Sequence, residues 1–242
     1  MRPPRLSVII PAFNEAPTLE EIVGRVQATG LVFETIIVDD GSTDATPAIL
    51  EKLADAAGAE LQVFRHLGNR GKGAAIATGL RAATGEVVLV QDADLEYDPA
   101  DYAALLAPFE RAGVRVVYGS RNLRENPQSS FSFYWGGRLL SWVANRLYGS
   151  RITDESTGFK VVETQLMREL ELETDGFEFC AELTAKLLRR GVEINEVPIS
   201  YRPRSRAEGK KIRWSDGWVA IRTLARYRFS KPEEGATKSR VR

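Results

Sequence analysis

Between residues 6 and 119, short apolar runs alternate with longer segments whose apolar positions recur every three or four residues. The runs at 6–10, 35–38, 61–64, 87–90 and 114–118 are four or five residues long and rich in Val and Ile. That pattern predicts strands buried on both faces. The segments 19–28, 46–57, 73–83 and 100–112 predict helices. Thr18 and Glu21 have capping-box spacing, Pro47 follows Thr46 at a helix start, and Gly58, Gly85 and Gly113 stand at helix ends. Strand–helix alternation at this spacing predicts an α/β protein with a doubly wound, mostly parallel sheet. Ligands of such sheets bind outside the carboxyl ends of the strands.

After residue 119 the pattern changes. Residues 131–148 are aromatic-rich and helical in period; 159–162 and 194–197 predict short strands, and 164–170 and 181–190 predict helices. Residues 212–229 form a long basic amphipathic segment in which Trp214, Trp218, Ile221, Leu224 and Tyr227 recur near helical spacing. The organisation expected is a single domain over 1–230, with a ligand-binding half at 6–119, a second half at 120–230 of different pattern, and a disordered tail at 231–242.

Composition excludes several classes. Of 242 residues, 43% are hydrophobic and 27% charged, as in ordinary globular proteins. The single cysteine, Cys180, rules out an intrachain disulfide framework, and the single histidine, His66, argues against a Ser-His-Asp triad. The 33 basic and 33 acidic residues cancel overall, but residues 201–242 carry 13 Lys/Arg against 4 Asp/Glu. An acidic body with a basic end points to a cation site in one part and an anionic partner for the other.

Candidate chemistry gathers where strands end. Asp92 and Asp94 follow the fourth predicted strand at i and i+2, and Glu96 lies two residues on. Such carboxylates suit a hard cation, Mg²⁺ or Mn²⁺, although the same acids commonly cap helices. Pro11, Phe13 and Glu15 follow the first strand, and Asp39 and Asp40 the second, where carboxylates can accept from a base and a ribose. Gly68, Gly71 and Gly73, with Arg70 and Lys72, form a glycine-rich basic loop at a helix start; it suits an anion or simply a tight connection, and its lysine spacing is not that of a P-loop. Arg121 follows the fifth strand, Arg138 lies in the aromatic segment, and Arg202, Arg204, Arg206, Lys210 and Lys211 crowd a late loop. Arginine pairs phosphate bidentately and keeps its proton.

Residues 8–15, 37–44, 69–73 and 92–96 together resemble the inverting family 2 glycosyltransferases of the GT-A fold, and within them the dolichol-phosphate or polyprenyl-phosphate mannose synthase group in its short form without transmembrane helices. Residues 118–121, 156–160 and 197–201 extend the likeness over roughly residues 6–230. The resemblance implies that Pro11, Phe13, Glu15, Asp39 and Asp40 line a nucleotide pocket, with Asp92, Ala93 and Lys72 beside ribose and diphosphate. It implies that Asp94 and Glu96 hold the metal, that Arg121 and Arg138 meet an acceptor phosphate, and that Arg202 or Lys210 closes over the diphosphate. Glu96 stands where the family often has Gln, and Phe13 where Tyr is frequent.

The implied reaction is inverting transfer of a hexose from GDP-mannose or a UDP-sugar to polyprenyl or dolichyl phosphate, with Asp92, Asp94 and Arg121 as catalytic groups. Two other readings stand beside it. One is transfer to a soluble or glycan hydroxyl with Glu178 or Glu182 as base; the other is nucleotide-sugar binding without catalysis. A nucleic-acid partner is not expected, because the body is acidic and no recognition module is present. Residues 1–7 lack a signal-peptide core and no stretch reaches the ~18–20 apolar residues of a membrane span, so the expected location is the cytoplasmic face of a membrane, held peripherally by the two aromatic segments.

Overall fold

The structure, a computed structural model, describes residues 2–127, 131–204 and 214–230. Seven strands make one sheet: β1 (Leu6–Ala12), β2 (Val32–Asp39), β3 (Leu61–Arg65), β4 (Val87–Val90), β5 (Val116–Ser120), β6 (Lys160–Glu163) and β7 (Asn195–Pro198), in the order β3-β2-β1-β4-β6-β5-β7. β6 pairs antiparallel with both β4 and β5, and the other pairs are parallel. The carboxyl ends of β1, β2, β4, β5 and β7 therefore share one edge. The reversed β6 brings the segment before it, residues 154–159, to that same edge.

Both sheet faces are covered. α1 (Leu19–Ala28), α2 (Thr46–Ala57) and the short α4 (Tyr102–Leu106) bury Leu19, Ile22, Val26, Leu50, Tyr102 and Leu105 against one face. α3 (Lys72–Ala82), α6 (Thr164–Glu169) and α7 (Phe179–Arg189) bury Ile76, Leu166, Phe179 and Leu183 against the other. Near-continuous apolar strands are what two-sided burial demands. α5 (Phe131–Tyr148) and α8 (Trp214–Phe229) pack on the outer side of α7 through Ala144, Ala181, Ala185, Leu224 and Tyr227. Among the described residues no helix is long and apolar enough to cross a membrane.

Three local expectations are corrected. Thr18 makes no side-chain cap; its hydroxyl turns back to the Glu15 carbonyl at 3.3 Å. The helix expected at 100–112 is a 3₁₀ turn, the five-residue α4 and a second 3₁₀ turn at Ala107–Glu110. Pro108 removes an amide donor there and breaks the ladder. The fifth strand also starts and ends two residues later than its apolar pattern implied. Lys210, Ile212 and the tail at 231–242 lie outside the described residues.

One buried carboxylate ties the sheet together far from the ligand edge. Glu34 on β2 accepts from Ser7 Oγ at 2.6 Å, Thr84 N at 2.5 Å and Gly85 N at 3.1 Å. Burial works to raise this carboxyl, and the hydrogen bonds overcome it, holding it below the usual value. A depressed folded value stabilises above the unfolded pKa and is lost as pH falls through the folded one. Glu34→Ala is expected to lower unfolding stability by about 3 kcal/mol. Urea titration from pH 7 down to pH 3 should show the difference from wild type shrinking on the acid side.

Candidate active site

The strand ends enclose a cavity of 550 Å³. One wall comes from the loops after β1 and β4. Asp92, Ala93, Asp94 and Glu96 line it together with Pro11, Phe13 and Glu15. Leu95, between two of the acids, adopts a φ of 60°, a turn that lets both flanking carboxylates line the cavity. Asp94 Oδ1 accepts from Glu96 N at 3.0 Å and fixes that turn.

Each acid has a cation or donor at hand. Lys72, at the N-terminus of α3, pairs with Asp92 at 2.5 Å. Burial would lower the Lys72 ammonium, but the Asp92 charge outweighs it and holds it above its ordinary value. Arg204 reaches back from the late loop to Asp94 Oδ2 at 2.9 Å and Glu15 Oε2 at 3.4 Å. Glu96 accepts from Tyr201 Oη at 2.8 Å and from Arg204 N at 2.8 Å. Even so, burial and the nearby Asp92 and Glu96 charges push the Asp94 carboxyl up to about 7. The acid loop thus holds surplus negative charge in oxygen donors, which is the chemistry a hard divalent cation takes. Among the described residues, no three His, Cys, Asp or Glu side chains already converge as a metal shell. Lys72 and Arg204 are the partners of Asp92 and Asp94 instead.

The second-strand acids play different parts. Asp40 lines the cavity and accepts from His66 Nδ1 at 2.7 Å and from Gly71 N at 2.7 Å, so the lone histidine braces the glycine loop. Asp39 sits just behind, 1% exposed; it accepts from Ser42 N at 2.9 Å and lies 3.2 Å from Arg65 Nε. Gly41 between Asp40 and Ser42 needs its φ of 76°, and a Cβ there would lie 2.5 Å from the Gly68 carbonyl carbon. A side chain on Gly73 would strike the Thr174 carbonyl oxygen.

Arg121 lines the facing wall, and Asp154 holds it. Nε and Nη2 donate to Asp154 at 2.7 Å each, Nη2 also to Ser156 Oγ at 2.9 Å, and the guanidinium lies 5.0 Å from the Tyr201 ring centroid. Burial works to raise the Asp154 carboxyl; the Arg121 charge and hydrogen bonds reverse this and hold it low. Among the described residues none accepts from Arg121 Nη1.

Among the described residues named from sequence, Asp39, Arg138 and Arg202 are not in the cavity wall. Arg138 on α5 and Arg202 are exposed, and Lys210 is outside the described residues. Of the two described members of the late basic cluster, Arg202 and Arg204, the latter reaches the acids. Asp154 and Glu155 had no reading from sequence; their only signal was their place beside the 156–160 motif. The two candidate hydroxyl-activating bases are otherwise engaged or displaced. Glu182 is fully buried and accepts from Thr174 Oγ1, Glu173 N, Lys186 and Tyr227 Oη. Glu178 flanks the start of α7 and does not line the cavity.

The far end of the cavity is apolar except for Asp216 in the first turn of α8. It runs between α5 and α8 along Phe133, Gly136, Gly137, Leu140, Gly217 and Ala220. A Cβ on Gly136 or Gly217 would meet nothing within 4 Å. Beside this slot Trp135, Leu139 and Trp142 recur at steps of four and three along α5 and are 54%, 48% and 62% exposed; Trp218 on α8 is 71% exposed.

Comparison with known proteins places this geometry. The family model for glycosyl transferase family 2 matches residues 7–170. Polyprenol monophosphomannose synthase of Mycolicibacterium smegmatis is 31% identical over 223 residues, covering 86% of this chain and 83% of that protein. Dolichol-phosphate mannosyltransferase of Pyrococcus furiosus is 29% identical over 214 residues, covering 85% of this chain but 59% of that protein, so the chain spans about three fifths of its length. Glucosyl-3-phosphoglycerate synthase of Mycobacterium tuberculosis, solved with Mn²⁺, UDP and glucosyl-3-phosphoglycerate, shares the fold with a TM-score of 0.70 at 22% identity over 96% of this chain and 82% of that one. The match over 7–170 extends across more than half of the sequence, and the chain therefore belongs to glycosyltransferase family 2, as a glycosyltransferase of the GT-A fold.

Proposed function

We propose that the protein transfers a hexose from a nucleotide sugar, GDP-mannose or a UDP-sugar, to polyprenyl or dolichyl phosphate with inversion. One observation carries this reading: a single cavity joins a rim of carboxylates and fixed cations to an apolar slot between two helices. A polyprenyl phosphate has the same two parts, an anion on an isoprenoid chain. A wholly soluble acceptor gives the slot no occupant, and neither Glu178 nor Glu182 is placed to activate its hydroxyl.

Pro11, Phe13, Glu15, Asp39 and Asp40 form the nucleotide end, with Lys72 and Arg204 neutralising the diphosphate. Asp94 and Glu96, with Asp92 beside them, would hold Mg²⁺ or Mn²⁺, which when bound neutralises charge developing on the leaving diphosphate. Arg121, oriented by Asp154, offers Nη1 to the acceptor phosphate. That phosphate is largely dianionic at neutral pH, because its second pKa is about 6, and its oxygen attacks without a strong base. The oxygen–anomeric carbon bond forms as the bond to the diphosphate oxygen breaks, with inversion at carbon. A donor panel of GDP-mannose, UDP-glucose and UDP-N-acetylglucosamine, each with Mn²⁺ and polyprenyl phosphate, tests the reading. One donor should yield nucleoside diphosphate in step with glycolipid, and release from none would overturn it.

Peripheral membrane contact belongs to the same proposal. The Trp135–Leu139–Trp142 stripe, Trp218, and the exposed Arg138 and Arg222 match an interface that takes indoles and meets lipid phosphates. Replacing Trp135, Trp142 and Trp218 together by alanine is expected to weaken binding to anionic vesicles by on the order of 10-fold or more, seen by flotation. Unchanged flotation would remove these helices from the contact.

A further inference from the structure

The wall formed by residues 154–158 carries a side chain with no part so far. Glu155 lines the cavity and is 1% exposed, yet its Oε1 has no hydrogen-bond partner. Lys160 Nζ stands 3.9 Å away, beyond hydrogen-bond reach. That ammonium is already committed. It donates to the Glu155 backbone oxygen at 2.6 Å, to Thr184 Oγ1 at 3.3 Å and to the Cys180 backbone oxygen at 3.4 Å. Those three acceptors use its three protons. Glu155 therefore gains charge balance from Lys160 without a donor for Oε1. Its backbone is fixed on both sides: Glu155 N donates to Ser141 Oγ at 2.9 Å, and the preceding Asp154 is locked to Arg121. A buried carboxylate oxygen without a donor is uncommon, and in a cavity wall it asks for a ligand that brings one.

Its place says which part of a ligand would do so. Because β6 runs against its neighbours, residues 154–158 face the acid loop. A Cβ on Gly158 would lie 3.0 Å from Asp92 Oδ2. A donor whose diphosphate sits among Lys72, Arg204 and the acids carries its hexose next along the molecule, toward this wall. Ser156 is engaged with Arg121 and Gly158 has no side chain, which leaves Glu155 as the acceptor there. We infer that Glu155 selects the sugar: its carboxylate accepts hydrogen bonds from hydroxyls of a neutral hexose, and its charge excludes a hexuronate. This rests on the cavity being a nucleotide-sugar site. A hydroxyl brings the missing donor, whereas a second carboxylate brings none and adds like-charge repulsion in a poorly solvated wall.

Binding measured by calorimetry with Mn²⁺ tests this, using UDP-glucose against UDP-glucuronate, GDP-mannose against GDP-mannuronate, and UDP and GDP alone. Wild type should bind the neutral member of the preferred pair at least ~10-fold more tightly than the uronate, the factor for one charged hydrogen bond gained or lost. Glu155→Gln should bring that ratio within about 3-fold, while nucleoside diphosphate affinity stays within about 2-fold. An unchanged ratio in Glu155→Gln overturns the inference. So does an equal loss for UDP or GDP alone, which marks a structural role, and so does a loss of turnover at an unchanged ratio, which marks a proton-transfer role. Should the variant melt below the assay temperature, the wild-type ratio decides, and a value near one overturns the selector. Wild type that binds no nucleotide or nucleotide sugar at all refutes the underlying site before any variant is made.

Discussion

Asp94→Ala should lose turnover by on the order of 10³-fold and lose its response to added divalent cation. The reason lies in how the acid loop is built. Asp94 fixes the 94–96 turn through Oδ1 and meets Arg204 through Oδ2. It also carries the charge that burial and two neighbouring carboxylates oppose, so that charge is stabilised most by a cation arriving from outside. Asp94→Asn separates the two parts, because an amide oxygen can still accept from Glu96 N while the charge is gone. Asn should therefore fold like wild type and fail like Ala. Initial rates against Mn²⁺ concentration, with melting temperatures alongside, check this; full turnover in either variant would take Asp94 out of the metal and donor machinery.

Removing the partner of Arg121 should be felt in stability as well as rate. Asp154 is 1% exposed and accepts two side-chain hydrogen bonds and the backbone N–H of Arg121 at 2.9 Å. Deleting one member of a buried ion pair leaves the other uncompensated, a loss of about 3–5 kcal/mol. Asp154→Ala should therefore lower the melting temperature markedly and drop turnover, since the freed guanidinium no longer keeps one orientation on Tyr201. The pH dependence has a definite sign. The folded Asp154 carboxyl is held below its unfolded value, so its contribution is present above the unfolded pKa of about 3.9 and disappears as pH falls through the folded one. Wild type should lose stability steeply in acid, and Asp154→Ala should show a shallower fall over the same range.

Much of the sheet edge can be read directly from sequence. Four parallel strands ending in polar residues must place Pro11, Asp39, Asp92 and Arg121 on one side, because parallel strands share a direction. The pairings within the edge cannot be read that way. Lys72 with Asp92, Arg204 with Asp94 and Arg121 with Asp154 join residues 20, 110 and 33 positions apart, and only the tertiary fold sets which cation meets which acid. The same limit hid Glu155, whose position depends on β6 running backwards, a reversal that a strand of four residues does not encode. Local misreadings had local causes. The 100–112 segment has helical periodicity but contains Pro108, and Thr18 was spent on the Glu15 carbonyl rather than on its own helix. Arg138 and Arg202 carried the right charge for phosphate, yet their side chains lie outside the wall.

The acceptor decides between a lipid phosphate and a soluble hydroxyl. Radiolabelled sugar nucleotide, Mn²⁺ and the protein, supplied with equimolar polyprenyl phosphate in vesicles and 3-phosphoglycerate in solution, should deposit label in an acid-labile, solvent-extractable lipid. Label that stays in the aqueous phase on the soluble acceptor, with the lipid untouched, would contradict a cavity built to join a charged rim to an isoprenoid slot.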